Sequence, residues 1–408
     1  MSGGTQAAHA QDLYTITGAI TNGGPIENFS TSFSNSDDFF SFFETGDPIR
    51  ALGVNYIDDF SAAAATIDYQ GVEILLAFPF VGSAAVQYSV LGETVFLSET
   101  DVGFDRDFAL DLVYEGIFFD GGPLQQAFQA ALLQSSPNNP AAGNPNSLQS
   151  RMITDDFNFS GFDTSANTPS TGTTINRVFI GVSGGTFSAN GVNGETFSVP
   201  LSYTARFDDD PRYQLQFALP LTFINQGDTA SYSGSLGVGF QFPLTSIDAK
   251  NQWYLTPRIS LGGVTTPSES QATLLANASI TSRYTMGIGS IPGEFTLANL
   301  VGYNFSIDLN LEDYRGDYDI GNLTLKNGLL YELPVDFNLF GDNQLSFQGS
   351  YALTNLIGTD LFMNTFHDVS VSLGTQDTGM LTKMLRLGFT GSFGREFQKY
   401  VVNIGYVF

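Results

Sequence analysis

The C-terminal part of the chain repeats one pattern, in which apolar or aromatic residues alternate with polar or small residues over long runs. In the last run, QKYVVNIGYVF, every second residue from Tyr400 to Phe408 is apolar or aromatic. Because successive side chains of a β-strand point to opposite faces, this alternation predicts strands with one apolar and one polar face. About 12 such runs follow one another, near residues 173–185, 195–207, 212–225, 230–244, 251–264, 272–286, 294–310, 322–335, 344–356, 363–375, 381–394 and 398–408.

The length and the polar face of these runs favour a membrane wall. Most runs have about ten or more residues, whereas globular strands average about five or six and a tilted bilayer-crossing strand needs about 9–11. The polar face is mainly Gly, Ser, Thr, Asn and Gln, which suits a crowded, wet lumen. Aromatic residues near run ends, such as Tyr213, Phe223 and Trp253, match the girdles of membrane barrels. The predicted fold class is all-β, a transmembrane antiparallel up-and-down β-barrel of about 12 strands.

The final run resembles the C-terminal signal of bacterial outer-membrane proteins, an alternating strand that ends on an aromatic residue. The residues that carry the resemblance are Tyr400, Val402, Ile404, Tyr406 and Phe408. The resemblance implies the outer membrane of a Gram-negative bacterium, contact with its lipid and lipopolysaccharide, and recognition by the barrel-assembly machinery.

The first 172 residues differ from the rest in charge and pattern. They hold 21 of the 41 acidic residues but only 3 of the 15 basic residues. Ala8-His9-Ala10 followed by Gln11 fits a secretory cleavage site, so the first segment is interpreted as the remnant of a signal peptide or as a tag. The predicted domains are this segment (1–10), an acidic β-rich N-terminal module (11–122), a helical linker or plug (123–172) and the barrel (173–408).

The linker contains two predicted helices. GPLQQAFQAALLQSS has helical spacing of Leu124, Phe128 and Leu132, and NSLQSRMITDDF follows with Asn146 as its expected cap. The segment between them, SSPNNPAAGNPN, is typical of an irregular linker. Within the module, SDDFFSFF is expected to form a short helix capped by Ser36.

The order of module, helical linker and 12 strands resembles an autotransporter, with an N-terminal passenger, a helix through the pore and a C-terminal translocator. The resemblance implies that the barrel anchors or exports its module at the cell surface. The module departs from the family because it is short and has no long β-helix repeat. The alternative function is a passive channel or uptake porin whose N-terminal region plugs the lumen or caps it in the periplasm.

A second alternative concerns the strand number. ATIDYQGVEILLAF and AAVQYSVLGETVFL are also strand-like, and they would enlarge the barrel to about 14 to 16 strands if they joined the wall.

Eight basic residues fall on the predicted lumen face of the runs. An acidic stretch such as Asp155-Asp156 would be attracted to them, or they would pair within the wall with Glu332 and Asp368. Both arrangements are open at this point. The eight residues are Arg177, Arg206, Arg212, Arg258, Arg283, Lys326, Arg386 and Lys399.

Composition excludes several classes of function. A net charge of −26 argues against a nucleic-acid partner. With no Cys and two His, transition-metal sites are not expected.

GVSGG matches G-x-S-x-G at Ser183, but it lacks the strand, sharp turn and helix of a nucleophile elbow. His367 is interpreted as a wall residue. The chain is therefore expected not to be an enzyme.

Calcium is the one cofactor for which the sequence offers ligands. Carboxylates cluster near glycine in EDYRGDYDIG and in ETDVGFDRDFALD, and hard oxygen ligands suit Ca²⁺. Neither cluster has the EF-hand spacing, and solvated acidic loops are the simpler interpretation. The candidate calcium ligands in the predicted outer loop are Glu312, Asp313, Asp317 and Asp319.

Overall fold

The protein divides into two compact units, one comprising Met1–Ser136 with Gly227–Thr229 and the other Pro137–Gln226 with Ala230–Phe408. Among the described helices, none is long and apolar enough to cross a membrane. The computed structural model describes residues 14–33, 38–39, 41–42, 57, 60–103, 105–118, 122–162, 176–227, 229–267, 271–308, 310–311, 314–315, 318–338, 344–375 and 384–407.

The N-terminal unit contains one six-stranded antiparallel sheet in the order β2-β1-β3-β4-β5-β6. Alternate residues of each central strand are buried, as at Ile74 and Phe78, and Tyr14 meets Tyr69 edge to face with ring centroids 4.9 Å apart. One face of the sheet therefore forms an apolar core. The strands are β1 (Tyr14–Thr21), β2 (Glu27–Phe33), β3 (Ala62–Tyr69), β4 (Val72–Phe78), β5 (Val86–Val90) and β6 (Glu93–Leu97).

This sheet corrects the alternative of a larger barrel. ATIDYQGVEILLAF forms β3 and β4, and AAVQYSVLGETVFL forms β5 and β6, so both hairpins belong to the separate sheet. The physical reason lies in their two faces. One face is buried in the unit's own core, and the other carries polar residues such as Glu73 and Gln87, which lipid would not accept.

The described part of the unit also contains the helices α1 (Glu99–Val102), α2 (Arg106–Phe118) and α3 (Pro123–Ser135), and residues 38–39 and 41–42 are helical. Phe128 of α3 meets Tyr69 and Phe118 edge to face, with centroids 5.3 and 5.0 Å apart. The sequence assigns residues 123–135 to the linker, but this aromatic packing places the helix in the first unit.

The acidic cluster of ETDVGFDRDFALD caps the first two of these helices, α1 and α2. Asp101 accepts hydrogen bonds from the Ser98 hydroxyl (2.6 Å) and backbone N–H (2.7 Å), and these bonds lower the pKa of Asp101. Asp105 accepts from the backbone of Asp107 and Phe108 (3.0 and 3.2 Å). Carboxylates at helix starts satisfy N–H groups that lack partners within the helix. The sequence predicts neither α1 nor α2, because carboxylates near glycine are also compatible with ligands in a loop.

The second unit is a closed antiparallel barrel of 12 wall strands. Its last strand pairs with its first, from Phe397 opposite Ala189 to Val407 opposite Phe179. Fourteen strand segments make up the 12 wall strands, because two wall strands are each divided into two segments. The segments are β7 (Arg177–Ala189), β8 (Val192–Val199), β9 (Leu201–Arg206), β10 (Gln214–Ala218), β11 (Leu221–Gln226), β12 (Thr229–Pro243), β13 (Gln252–Thr266), β14 (Gln271–Met286), β15 (Glu294–Ile307), β18 (Gly321–Asn338), β19 (Gln344–Gly358), β20 (Thr365–Thr375), β21 (Met384–Gly394) and β22 (Phe397–Val407). A small hairpin between β15 and β18 consists of β16 (Asn310–Leu311) and β17 (Tyr314–Arg315).

Two wall strands are each interrupted once by a proline, so that β8 with β9 and β10 with β11 act as single strands. Proline has no N–H and removes one ladder bond. The ladder continues on both sides, because Gly181 donates to the Pro200 carbonyl (2.9 Å) and Leu219 donates to the Leu201 carbonyl (2.8 Å).

The first hairpin of the barrel is tighter than predicted. The sequence places a loop over 186–194, whereas the strands extend to Ala189 and resume at Val192. Asn190 and Gly191 both have positive φ (48° and 82°), as a two-residue type I′ turn requires. The Asn-Gly pair is the sequence signal for this turn.

The outer face of the wall is apolar. On β22, Val402 and Ile404 are about half exposed (51% and 50%), whereas their neighbour Val401 is buried (7%). Leu297 and Leu387 are exposed in the same way on β15 and β21. Such a continuous apolar face is what a strand presents to lipid.

We expect an outward charge to be far more costly than an inward one. Leu387→Arg should destabilise the folded barrel by about 2–4 kcal/mol if the residue lies near the bilayer midplane. Thr390→Arg, on the same strand but lining the lumen, should cost much less. Urea unfolding in liposomes, followed by the fluorescence of the single tryptophan, Trp253, measures the free energy of unfolding of both variants. Equal losses for the two variants would contradict the assignment of the faces.

Candidate functional site

A helix inside the barrel, α4 (Leu148–Phe159), is the centre of the candidate site. It begins at Ser147, whose hydroxyl accepts a hydrogen bond from the Ser150 N–H (3.4 Å). The sequence predicts Asn146 as the cap, one residue too early. Asn146 instead ends a turn, because its N–H donates to the side chain of Asn144 (2.8 Å).

The wall is shaped to let the helix approach closely. A Cβ atom on Gly262 of β13 would lie 2.7 Å from the Met152 sulfur, and one on Gly328 of β18 would lie 2.5 Å from the Phe162 ring. Both distances are shorter than a van der Waals contact. A larger residue at either position would therefore force Met152 or Phe162 to move.

The segment before the helix is folded. Residues 137–147 are mostly buried, although the sequence predicts an irregular linker there. Asn139 accepts from the Ala141 N–H (2.9 Å), and Asn144 donates to the Asn139 carbonyl (2.7 Å). Asparagine side chains thus supply the hydrogen bonds that regular structure would provide.

The helix has a defined direction in the barrel. Asn139, before its start, donates to the Tyr318 hydroxyl (3.2 Å), which in turn donates to Gln271 at the beginning of β14 (3.3 Å). At the other end, Phe159 packs with Phe179 and Val407. The helix therefore runs from the end holding the β15–β18 connection toward the end holding the last residues of β22.

Asp156 fixes the helix to one side of the wall. Its carboxylate accepts hydrogen bonds from Arg258 Nε (3.1 Å), Asn277 Nδ2 (2.6 Å) and Ser279 Oγ (2.9 Å). Arg258 also donates to Gln216 (2.9 Å), and Asp156 and Arg258 are each 2% exposed. A buried carboxylate is stable only when donors of this kind replace its hydration.

Lys326 provides a second contact with the helix from the wall. Its ammonium group donates to Thr154 (3.1 Å) and forms an ion pair with Asp368 (2.8 Å). The same ammonium lies 5.7 Å from the Phe157 ring centroid and 5.6 Å from that of Phe366, within cation–π distance.

Arg386 contacts residues of the wall. It donates to Ser372 (3.1 Å) and Ser346 (2.5 Å) and lies 3.6 Å from Glu332. Both arrangements expected from the sequence thus occur, for different cations: Asp156 binds Arg258, whereas Asp368 and Glu332 lie beside wall cations.

The other predicted lumen cations lie in several environments. Arg177, Arg206 and Arg283 are buried, and the Arg283 guanidinium lies over the Tyr254 ring at 4.4 Å. Lys399 is only partly buried and lines a cavity.

Arg212 lies in the turn before β10, outside the strands. It pairs with Asp210 (2.7 Å) and donates to the Thr245 carbonyl (2.8 Å), which links two neighbouring turns. The hydrogen bond between the two side chains lowers the pKa of Asp210 and raises that of Arg212.

A cavity of about 190 Å³, lined by both apolar and charged side chains, lies on the opposite side of α4 from Arg258. Arg151 and Asp155 project toward it from the helix, and Lys399 does so from β22. Asp155 has no hydrogen bond or ion pair with any residue that the structure describes. Hydroxyl groups of the wall, such as Ser183 and Thr390, complete the lining.

The remaining candidates do not assemble into a site in the described ranges. Glu312, Asp313 and Asp317 lie outside the described residues, and Asp319 is exposed. Within the described ranges, no group of three His, Cys, Asp or Glu residues could hold a metal ion.

Ser183 and His367 both lie within strands. Ser183 is in the middle of β7, without the sharp turn of a nucleophile elbow. His367 Nδ1 is 2.7 Å from the Tyr351 hydroxyl. In the C-terminal signal, Tyr400, Val402 and Ile404 are exposed and Phe408 lies outside the described residues.

A closed antiparallel barrel of 12 strands, with an apolar outer face and a polar, helix-containing lumen, is a β-barrel of the outer-membrane type. No protein-family model and no curated protein matches the chain.

Several solved barrels are similar to parts of it. The β domain of the Bordetella autotransporter Brka has 9% identity and a TM-score of 0.41, covering 57% of this chain and 98% of that one. The translocator domain of autotransporter NalP from Neisseria meningitidis has 8% identity and a TM-score of 0.42, covering 64% and 95%. The KdgM porin has 13% identity and a TM-score of 0.34, covering 56% and 98%.

We expect the two adjacent aspartates of α4 to differ sharply in importance. Asp156→Ala leaves Arg258 buried without its counter-charge, so it should destabilise the protein by about 3–5 kcal/mol. Asp155→Ala, which faces the cavity, should cost under about 1 kcal/mol. Urea unfolding followed by Trp253 fluorescence again provides the measurement. Similar losses for both variants would show that Asp156 does not anchor the helix.

Proposed function

We propose that this outer-membrane barrel is autotransporter-like and anchors or exports its N-terminal module at the cell surface. The observation that carries the proposal is the direction of α4. The helix starts at the barrel end that holds Tyr318 and finishes beside Val407, next to the C-terminus.

The direction matters because the chain before Pro137 must leave the barrel at the end where the plug begins. In outer-membrane barrels of this kind the C-terminus is periplasmic. The end that holds the β15–β18 connection is then the extracellular one, and residues preceding the plug emerge there. A plug entering from the periplasm would require the opposite helix direction.

The alternative, a wide passive porin, is less well supported. The diameter of a helix with its side chains is about 10–12 Å, which leaves little of a 12-stranded lumen open. Asp156, Thr154 and the two close glycine contacts all hold the helix in place. A freely permeable pore would have to displace these contacts.

In this proposal the chain has no enzymatic activity and no nucleic-acid partner. Its partners are outer-membrane lipid, lipopolysaccharide and the barrel-assembly machinery. The exposed apolar face of the wall supports the lipid contact, and the net charge of −26 argues against nucleic acid.

Cysteine labelling of intact cells tests the topology. The chain has no cysteine, so each introduced thiol is the only one present. With a membrane-impermeant maleimide, Glu93→Cys in the module and Asp319→Cys in the β15–β18 connection should both react. Lys250→Cys, in the β12–β13 turn, should react only after the outer membrane is permeabilised.

The Asp319→Cys and Lys250→Cys variants calibrate the labelling result for Glu93→Cys. Labelling at Asp319→Cys with protection at Lys250→Cys establishes the orientation of the barrel itself. If the Glu93→Cys thiol is then protected in intact cells but reactive after permeabilisation, the module is periplasmic and surface display is excluded.

The C-terminal signal has its own test. Deleting Phe408 should lower the amount of barrel in the outer membrane of cells, because it removes the aromatic end of the alternating strand, whereas refolding in detergent should stay nearly normal. Val401→Ser, an inward change on the same strand, is the control. Wild-type membrane levels of the deleted protein would exclude a role of Phe408 in assembly.

A further inference from the structure

The cavity beside α4 follows the length of the helix. Its lining includes Pro145, which precedes the first helical residue, and Phe162 and Phe179, which lie at the other end. At about 190 Å³ it has room for roughly six water molecules. The space therefore has the shape of a narrow aqueous passage along one side of the plug.

The charges that line this passage do not balance. Lys326 and Asp368 form an ion pair at 2.8 Å and neutralise one another. Arg151, Asp155 and Lys399 are left, two cations against one anion. The excess of one positive charge raises the local concentration of small anions relative to cations.

The two cations have capacity to interact with a passing ion. Lys399 has no hydrogen bond or ion pair with any residue in the described part of the chain. Arg151 has a buried Nη1 group without a hydrogen-bond partner among those same residues. Charged groups that line a narrow pore determine which sign of ion enters it.

We infer that the space beside α4 is a residual ion pathway selective for small monovalent anions such as chloride, with Lys399 and Arg151 as its selectivity-determining residues. Wall hydroxyls such as Ser183 and Thr390 donate to the ion and replace part of its hydration. The inference depends on the helix lying in the lumen, but it does not depend on the side at which the module is displayed.

The test uses the full-length protein in planar bilayers under a KCl gradient, with the reversal potential as the readout. The wild-type protein should show a small conductance with a chloride-to-potassium permeability ratio above one. Lys399→Glu should bring this ratio below one, and the neutral Lys399→Gln should shift it in the same direction by less. Asp155→Asn should shift it the opposite way, toward anions.

The control is Lys250→Glu, which makes the same charge change at an exposed site in the β12–β13 turn, away from the cavity. It should leave the permeability ratio unchanged. Heat-modifiable migration on gels verifies that each variant is folded, and proteoliposomes of known protein content with an entrapped halide-sensitive dye verify chloride entry independently.

Either of two results would overturn the inference. One is the absence of chloride entry above that of protein-free liposomes. The other is a reversal potential that is the same in the wild type, Lys399→Gln and Asp155→Asn. Neither result changes the outcome of cysteine labelling, so failure of this inference is distinguishable from failure of the proposed function.

Discussion

The hydrogen-bonded pairing of β22 with β7 is the interaction on which the rest of the barrel depends. In hydrocarbon, each unpaired backbone N–H or C=O costs several kcal/mol, so a sheet persists there only when its two edges meet. The pairs from Phe397–Ala189 to Val407–Phe179 join these edges. Closure at 12 strands also determines the width of the lumen. The space available to α4 therefore follows from the strand number.

A lumen of this width accommodates a helix only if the wall residues in contact with it are small and if polar wall residues face its charged side chains. Gly262 and Gly328 meet the first condition, and Arg258 meets the second by binding Asp156. Asp155 and Asp156 are neighbours in sequence, and successive residues of a helix point about 100° apart. A single step along the chain thus separates a buried ion pair from the cavity.

Much of the wall could be predicted from the sequence because strand alternation is local and its period is fixed. Prediction from the sequence fails where the local pattern is ambiguous. The first turn was placed too broadly, because Gly and Asn on both sides of Asn190-Gly191 obscure where the strands end. The helices α1 and α2 cannot be predicted, because an acidic cluster is compatible with both a loop and a capped helix start.

The contacts of the candidate site could be predicted only as alternatives. Alternation placed the eight basic residues on one face, but it carries no information on which strand lies opposite which helical residue. The pairing of Arg258 with Asp156, rather than Asp155, depends on the rotation of α4 about its axis. That rotation is set by packing against distant strands. Sequence proximity therefore cannot specify it.

The two parts of the plug depend on the wall to different degrees. Residues 137–147 satisfy many of their polar groups internally, through Asn139 and Asn144. Helix α4 is about 18 Å long and relies on wall residues to neutralise Asp156. The Asp156–Arg258 pair, more than the preceding segment, therefore sets the rotation of the helix. Because the same rotation turns Asp155 toward the cavity, this one ion pair also determines on which side of the helix the cavity lies.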